Sequence, residues 1–201
     1  MVPLVLIGFE AYENYKRREA APWVARYHWP IMLFVAVAFW NLVGAGLLGF
    51  LINPPISLYY IQGLNTTPAH AHAALFGVYG LLGIGLMLFC LRGLTRDEAW
   101  RDSTLAWMFW LLNGGLAAMV FLSLLPAGVY QAFYSITEGL WYARSPEIIH
   151  SSWMRAMVWM RVPGDIVFAL GGMVLAWFAF RLWARRGRDK VAATTREASA
   201  V

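Results

Sequence analysis

Four long apolar runs constrain the fold of this chain more than any other feature of its sequence. They cover residues 31–52, 69–91, 104–128 and 163–183. Each is close to the length of about 20 residues with which an α-helix crosses the hydrocarbon core of a bilayer. Within a bilayer every backbone polar group must find a partner in the protein, and apolar runs of this length favour helices. The sequence therefore predicts an all-α, polytopic transmembrane helix bundle with four complete spans.

Composition excludes the main soluble classes of protein. Of the 201 residues, 60% are hydrophobic and 13% are charged, whereas about a quarter of an average soluble domain is charged. A chain of this length cannot hide such runs from water. The single cysteine, Cys90, excludes an internal disulfide framework. The net charge of +5 is not arranged as a basic stripe with stacking aromatic residues, so no nucleic acid partner is expected.

A fifth apolar run, residues 2–9, is too short to cross a membrane. It lacks the basic front and the small-residue cleavage site of a signal peptide, and we interpret it as the end of a further span. Residues 1–185 are thus expected to form a single transmembrane region. Residues 186–201 are expected to form a polar cytoplasmic tail, disordered beyond Arg188 because its composition is small and polar.

Basic residues gather between alternate spans. Segments 10–29, 92–102 and 181–201 hold four, three and six Lys or Arg, whereas 129–162 holds three and 53–68 holds none. Since cytoplasmic loops of membrane proteins carry an excess of Lys and Arg, the three basic segments and the C-terminus are expected to be cytoplasmic. The long segment 129–162 then faces outward, and its many aromatic residues predict short interfacial helices.

Two histidines stand two residues apart where the second span begins, in the sequence NTTPAHAHAALFGVYG of residues 65–80. Thr67 is a favourable N-cap and Pro68 suits the first helical position, so His70 and His72 are expected in the opening turns of a helix. Successive residues of an α-helix are about 100° apart, which places the two imidazoles about 200° apart. The pair is therefore unsuited to chelating one ion, but each ring can ligate a different metal centre.

Packing is the alternative to ligation along this helix. At helical spacing, one set of residues follows His70 on its face of the helix and another follows His72 on the other face, and we call each set a lane. The lanes are Ala74, Gly77 and Leu81 after His70, and Phe76, Tyr79 and Gly83 after His72. Such lanes serve helix packing more often than the approach of a flat macrocycle. For the two histidines themselves, ligation is favoured over packing, because an ionisable ring in a span is costly and usually functional. His28 and His150 are expected to be interfacial polar residues.

Several stretches resemble the catalytic subunit of bacterial nitric oxide reductases, in the haem–copper oxidase superfamily, and the resemblance is closest to the quinol-dependent type. They include FWNLVGAGLLGFLINPP, YYIQGLNTTPAHAHAALFGVYG, LLGIGLMLFCLRGL, SLLPAGVYQ, WYARS and MRVPGD. The His-Ala-His helix is the most specific of them. The resemblance covers most of residues 1–185 and implies that this chain corresponds to the last helices of a twelve-helix, haem–copper oxidase-like fold in a bacterial inner (cytoplasmic) membrane.

The resemblance implies two haem b groups and a role for each histidine. His70 corresponds to the proximal ligand of the high-spin haem b, and His72 to one axial ligand of the low-spin haem b. The implied reaction is the reduction of two NO molecules to N2O and water with electrons from quinol. A cytochrome-c-dependent reductase and a non-catalytic membrane haem b electron carrier are the alternatives.

The family's non-haem iron requires further histidines and a glutamate, which this chain does not supply in a suitable arrangement. The expected partners are therefore the N-terminal helices of the same protein or a partner subunit, together with the lipid bilayer, the electron donor and NO. Arg161 and Asp165 are expected to form an i, i+4 pair. Arg144, Arg155 and Arg161 are also candidates for contacts with haem propionates, and Glu138 and Glu147 for proton entry, although acids in interfacial loops are usually only solvated.

Overall fold

The computed structural model describes residues 2–17, 21–95 and 97–198, and these residues form helices and their connections, with no strand among them. Within them, four helical stretches are long and apolar enough to span a membrane: His28–Ile52, Thr66–Leu94, Asp102–Thr137 and Ser152–Arg185. We call these spans 1 to 4. The predicted all-α polytopic transmembrane bundle is confirmed.

Short helices flank the spans. They are Val2–Lys16, Pro22–Arg26, Pro55–Ile61, Pro146–Ile149 and Ser152–Trp159, with 3₁₀ turns at Asp97–Ala99 and Tyr142–Arg144. The apolar run at residues 2–9 is part of the first of these helices. Span 4 joins the short helix Ser152–Trp159 to the long helix Arg161–Ala198, which we call the last helix. The short helices predicted within segment 129–162 are confirmed.

Spans 1, 2 and 3 each contain a π-helical segment, at Asn41–Leu48, Leu75–Gly80 and Met119–Leu124. In span 3 this segment ends just before Pro126. A proline ring clashes with the carbonyl four residues earlier in a regular α-helix, and that carbonyl, at residue 122, lies within the wider π turn. The proline is thereby accommodated without ending the span.

The structure differs from the sequence expectations at three helix ends. The helix of span 3 continues to Thr137, beyond the apolar run at residues 104–128, because Pro126 does not break it. The helix of span 2 begins at Thr66 with Asn65 as its N-cap, not at Pro68 with Thr67 as the cap. The expected disorder beyond Arg188 is also wrong as far as residue 198, since the last helix continues to Ala198 through a stretch without proline and rich in alanine. Residues 199–201 of that tail lie outside the described residues.

Small residues let the spans approach closely. A Cβ built on Gly44 of span 1 would lie 2.5 Å from the Ala73 Cβ of span 2. A Cβ on Gly115 of span 3 would lie 2.5 Å from the backbone nitrogen of Phe168 in the last helix. Backbones this close exclude any side chain between them, which is the usual way in which helices pack within membranes. Span 2 is thus held against span 1, and span 3 against the last helix.

Candidate functional site

His70 and His72 contact different helices, as their spacing predicts. His70 Nδ1 lies 2.8 Å from the Gly44 carbonyl oxygen in span 1. His72 Nε2 lies 3.0 Å from Arg161 Nη2 at the start of the last helix. The helix that carries both imidazoles therefore lies between span 1 and the last helix, with one ring facing each of them.

The hydrogen bonds of both rings fix the same tautomer. His70 Nδ1 faces the Gly44 carbonyl, and His72 Nδ1 lies 2.8 Å from the Pro68 carbonyl in its own helix. A carbonyl oxygen can only accept, so each Nδ1 carries the proton and donates it. For His72 the assignment is supported from both sides, since the Arg161 guanidinium can only donate and Nε2 must therefore accept. Both imidazoles thus direct an Nε2 lone pair away from their own helix.

The surroundings of His70 are small and closely packed. A Cβ on Gly49 of span 1 would lie 3.0 Å from His70 Cε1, so the glycine leaves the ring its space. Further along span 2, a Cβ on Gly77 would lie 2.5 Å from Trp40 Cγ, and Leu81 is buried. The lane of Ala74, Gly77 and Leu81 is therefore occupied by helix packing, with Trp40 seated at Gly77.

The surroundings of His72 are aromatic and more open. The His72 ring lies 5.5 Å from the Phe76 ring, which in turn lies 5.5 Å from Phe168 of the last helix, both measured between centroids. Phe76 is 44% exposed and Tyr79 is 69% exposed, and a Cβ on Gly83 would meet nothing within 4 Å. This lane is open to a further apolar body, whereas Gly77 and Leu81, which follow His70, are packed against other residues.

Arg161 joins His72 to Asp165. Arg161 Nε lies 3.2 Å from Asp165 Oδ2 and 3.3 Å from Oδ1, an i, i+4 ion pair in the first turns of the last helix. The expected pair is confirmed. The cross-helix contact of the same guanidinium with His72 is a finding of the tertiary structure, because the two residues are separated by 89 positions in the chain.

A polar network behind the histidines holds the start of their helix. Gln131 of span 3 accepts hydrogen bonds at Oε1 from the backbone nitrogen of Asn65, at 3.0 Å, and from Asn65 Nδ2, at 2.8 Å. Its Nε2 donates to the Ala143 carbonyl at 3.3 Å. Arg144 donates to the Gln62 carbonyl, in the turn before span 2. Only 6% of Gln131 is exposed. A lone glutamine among apolar residues is the sequence signal for this network, and sequence reasoning missed it because it belongs to no ligand motif.

A second, partly buried hydrogen bond joins span 1 to span 3. Trp40 Nε1 of span 1 donates to Asn113 Oδ1 of span 3 at 3.0 Å, and Asn113 Nδ2 donates to the Phe109 carbonyl at 2.9 Å. Trp40 is 1% exposed. Sequence reasoning also missed this pair, since a single asparagine in a span does not reveal its partner.

The other sequence candidates lie away from the two rings. His28 packs edge-on against Trp29 at the start of span 1, and His150 is exposed. Arg155 is exposed on the short helix that begins span 4. Within residues 2–17, 21–95 and 97–198, no three His, Cys, Asp or Glu side chains come together as a metal site would require.

Glu138 and Glu147 are both exposed in the connection between spans 3 and 4. Glu147 accepts a hydrogen bond from Tyr142 in the same connection, and this bond, with a smaller contribution from burial, raises the pKa of the Tyr142 phenol above its usual value. The contact gives Glu147 a structural partner, while a role in proton entry stays a prediction.

Comparison with known proteins gives the family of the chain. Residues 19–167 match the family model described as Cytochrome C and Quinol oxidase polypeptide I. The chain belongs to this family. The match covers spans 1 to 3 and the beginning of the last helix, and it includes both histidines, Arg161 and Asp165. The resemblance to the haem–copper oxidase superfamily is thus confirmed.

One curated relative is a nitric oxide reductase subunit of Stutzerimonas stutzeri. The chain is 28% identical to it over 187 residues, which cover 88% of the chain and 36% of the relative. The chain therefore spans about a third of the length of that protein. A likeness of this extent agrees with the expected correspondence to part of a nitric oxide reductase.

The residues at the site fit haem groups such as this family carries. Haem iron takes imidazole nitrogen as an axial ligand, and in metal sites the second ring nitrogen usually donates to a carbonyl or carboxylate. Both rings here have that arrangement, with Nδ1 donating to a backbone carbonyl and Nε2 bearing the lone pair. The aromatic lane beside His72 also suits the face of a porphyrin.

Proposed function

We propose that this chain is the haem-binding C-terminal region of a membrane nitric oxide reductase. The observation that carries the proposal is the His70–His72 pair, with both Nδ1 atoms donating to carbonyls and the two rings facing different helices. Such a helix can hold one iron on each side. The likeness to the Stutzerimonas stutzeri nitric oxide reductase supports NO as the substrate.

In this proposal His70 is the proximal ligand of the high-spin haem b and His72 an axial ligand of the low-spin haem b. The haem groups supply electron transfer and the iron at which NO is bound. The complete reaction consumes two NO, two electrons and two protons and yields N2O and water. Non-haem iron belongs to the complete enzyme, with its ligands on helices outside this chain.

The chain's own residues orient the two ligands. The Gly44 carbonyl accepts from His70 Nδ1, which fixes the direction of the ring and raises the basicity of Nε2. The Pro68 carbonyl does the same for His72 from within its own helix. Trp40, which packs against Gly77, fills the space between span 1 and span 2 and excludes water there. Because span 2 carries both proposed ligands, we call it the ligand helix. Both orienting groups are backbone atoms, and only the Gly44 carbonyl depends on packing between helices.

Quinol is the proposed electron donor and cytochrome c the alternative. The proposed location is a bacterial inner membrane with the C-terminus in the cytoplasm, which the distribution of basic residues supports. A non-catalytic haem b carrier shares the histidine geometry and differs in lacking NO reduction by the complete protein. The lipid bilayer and the preceding helices, or a partner subunit, complete the assembly.

The test uses the complete protein with His70→Ala, His72→Ala and, as a matched control, His28→Ala. Pyridine haemochrome assays and reduced-minus-oxidised spectra measure each haem. We expect His70→Ala to lose the high-spin signature and keep much of the low-spin spectrum, His72→Ala to do the reverse, and His28→Ala to keep both. Unchanged haem content in the first two variants would reject the assignment. NO consumption by the unmodified protein separates a reductase from a carrier.

A further inference from the structure

Three aromatic side chains form a continuous exposed strip near the end of span 4. The ring centroids of Trp177 and Phe180 lie 6.0 Å apart with the planes at 29°, and those of Phe180 and Trp183 lie 5.9 Å apart at 36°. The three residues are 57%, 53% and 71% exposed. We call Trp177, Phe180 and Trp183 the aromatic strip. It ends just before Arg185, the last residue of the span.

The opposite side of the same helix packs against span 3. Phe178 and Leu182 are buried, and the Phe178 ring meets Trp100 edge-on at 5.1 Å between centroids. A Cβ on Gly171 would lie 2.9 Å from Leu112 Cγ, so a small residue brings the two helices together. Close helix approach within membranes uses such small residues. The aromatic strip has none and faces away from span 3.

Arg181 brings a positive charge beside the aromatic strip. It lies four residues after Trp177, and residues four apart are neighbours on a helix surface. Arg181 is half-buried, and no ion pair within the described part of the chain includes it. Segment 181–201 holds six Lys or Arg and two Asp or Glu. Positive charge is therefore concentrated where the aromatic strip ends.

The chemistry of this surface fits a negatively charged lipid headgroup. Tryptophan is enriched at the level of the headgroups, and an arginine at the end of a span lays its stem along apolar surface while its charge reaches the boundary. A guanidinium binds phosphate in a two-pronged, charge-assisted geometry. Another helix on this face would have to supply an acid for Arg181. A zwitterionic lipid carries an ammonium that offsets its phosphate, whereas an anionic lipid complements the net positive charge.

We propose that the aromatic strip and Arg181 form a binding site for an anionic phospholipid. The phosphate pairs with the Arg181 guanidinium, and an acyl chain lies along the rings of the aromatic strip. The inference concerns one end of the last helix and does not depend on haem ligation by His70 or His72. It gives the complete protein a partner of defined charge at its membrane boundary.

The experiment compares two lipids that differ in headgroup charge. The complete protein in detergent is titrated with phosphatidylglycerol or with phosphatidylcholine of the same acyl chains, and native mass spectrometry gives the fraction carrying one lipid. The variants are Arg181→Gln and Arg181→Lys. Arg101→Gln is the matched control, because Arg101 is exposed beside the acidic Asp102, and its neighbour Trp100 places it at the same end of the bundle.

The unmodified protein should be half-saturated at a several-fold lower concentration of phosphatidylglycerol than of phosphatidylcholine. Arg181→Gln should raise the half-saturating concentration of phosphatidylglycerol about fivefold, the contribution of one arginine near an anionic surface, and leave that of phosphatidylcholine unchanged. Arg181→Lys should cause a smaller rise, since the charge remains without the two-pronged geometry. Arg101→Gln should change neither value.

A second measurement tests whether lipid reaches the aromatic strip. The complete protein is placed in phosphatidylcholine vesicles that contain brominated phosphatidylglycerol or the same share of brominated phosphatidylcholine, since bromine quenches nearby tryptophan fluorescence. Subtracting the signal of Trp183→Phe isolates Trp183. Its fluorescence should be quenched more by the anionic lipid, and Arg181→Gln should remove this difference.

Equal binding of the two lipids by the unmodified protein overturns the proposal, as does a loss in Arg101→Gln as large as that in Arg181→Gln. If Arg181→Gln does not accumulate, the quenching of Trp183 in the unmodified protein decides. Equal quenching by the two brominated lipids then overturns the proposal. Absence of quenching by either lipid shows that protein covers the aromatic strip and also overturns it.

Discussion

Trp40 of span 1 and Asn113 of span 3 are joined by a 3.0 Å hydrogen bond from the indole Nε1 to the amide Oδ1. The indole is buried and seated against Gly77 of the ligand helix. The Trp40 side chain of span 1 thus contacts span 2 at Gly77 and span 3 at Asn113. The position of the ligand helix therefore depends on a contact that involves neither histidine.

Trp40→Phe should destabilise the complete protein by about 1–3 kcal/mol, since it removes the buried indole's donor and leaves the partly buried Asn113 Oδ1 without its partner. Haem content at low temperature should be retained. Thermal loss of the Soret band measures the effect. Trp107→Phe is the control, because Trp107 lies on span 3, the span of Asn113, but is 67% exposed. Equal shifts in the temperature at which the Soret band is lost, for Trp40→Phe and Trp107→Phe, would contradict the role given to Trp40.

Gly44→Ala should affect the haem at His70 more than the haem at His72. The new methyl group would meet Ala73 Cβ at 2.5 Å and push apart the two helices that bring the Gly44 carbonyl to His70 Nδ1. Overpacking of this kind costs about 1–3 kcal/mol. The ratio of high-spin to low-spin haem in optical spectra gives the measurement. Gly83→Ala, in open space on the same ligand helix, should leave that ratio unchanged; a fall in both variants alike would count against the prediction.

Gln131→Leu should weaken the anchoring of the ligand helix. It removes the acceptor for both Asn65 donors and the donor to Ala143, which leaves buried polar groups without partners. A loss of about 2–4 kcal/mol in stability is expected, with reduced content of both haems, because the start of the shared helix is displaced. Chemical denaturation followed by the Soret band tests this. Gln62→Leu is the control, since the Gln62 side chain is exposed, and a stability loss as large in that variant would be inconsistent with the network.

Reporter fusions test the proposed sidedness of the membrane protein. Fusions after Leu94 and after Arg188 lie within the basic segments 92–102 and 181–201 and should be active with a cytoplasmic reporter such as green fluorescent protein. A fusion near Ile149, in the connection between spans 3 and 4, should instead be active with alkaline phosphatase, which works outside the cytoplasm. An exchange of reporter activity between any two of these sites would refute the topology.

The residue pattern was sufficient to predict the number of spans and the divergence of His70 and His72. Run length sets whether a helix crosses a bilayer, and the angle between residues two apart is a property of the helix alone. The helix ends were less predictable. The helix of span 3 continues through Pro126 and beyond its apolar run, and only the π-helical segment preceding the proline shows how.

The cross-helix partner of each imidazole was decided by tertiary structure. His70 meets a carbonyl 26 residues away in sequence, and His72 meets a guanidinium 89 residues away. Neither contact follows from a local sequence pattern, because each depends on how closely separate helices pack. The close approaches are at Gly44 against Ala73 and at Gly115 against Phe168. Local geometry therefore set the directions of the two imidazoles, whereas helix packing set which other helix each imidazole faces.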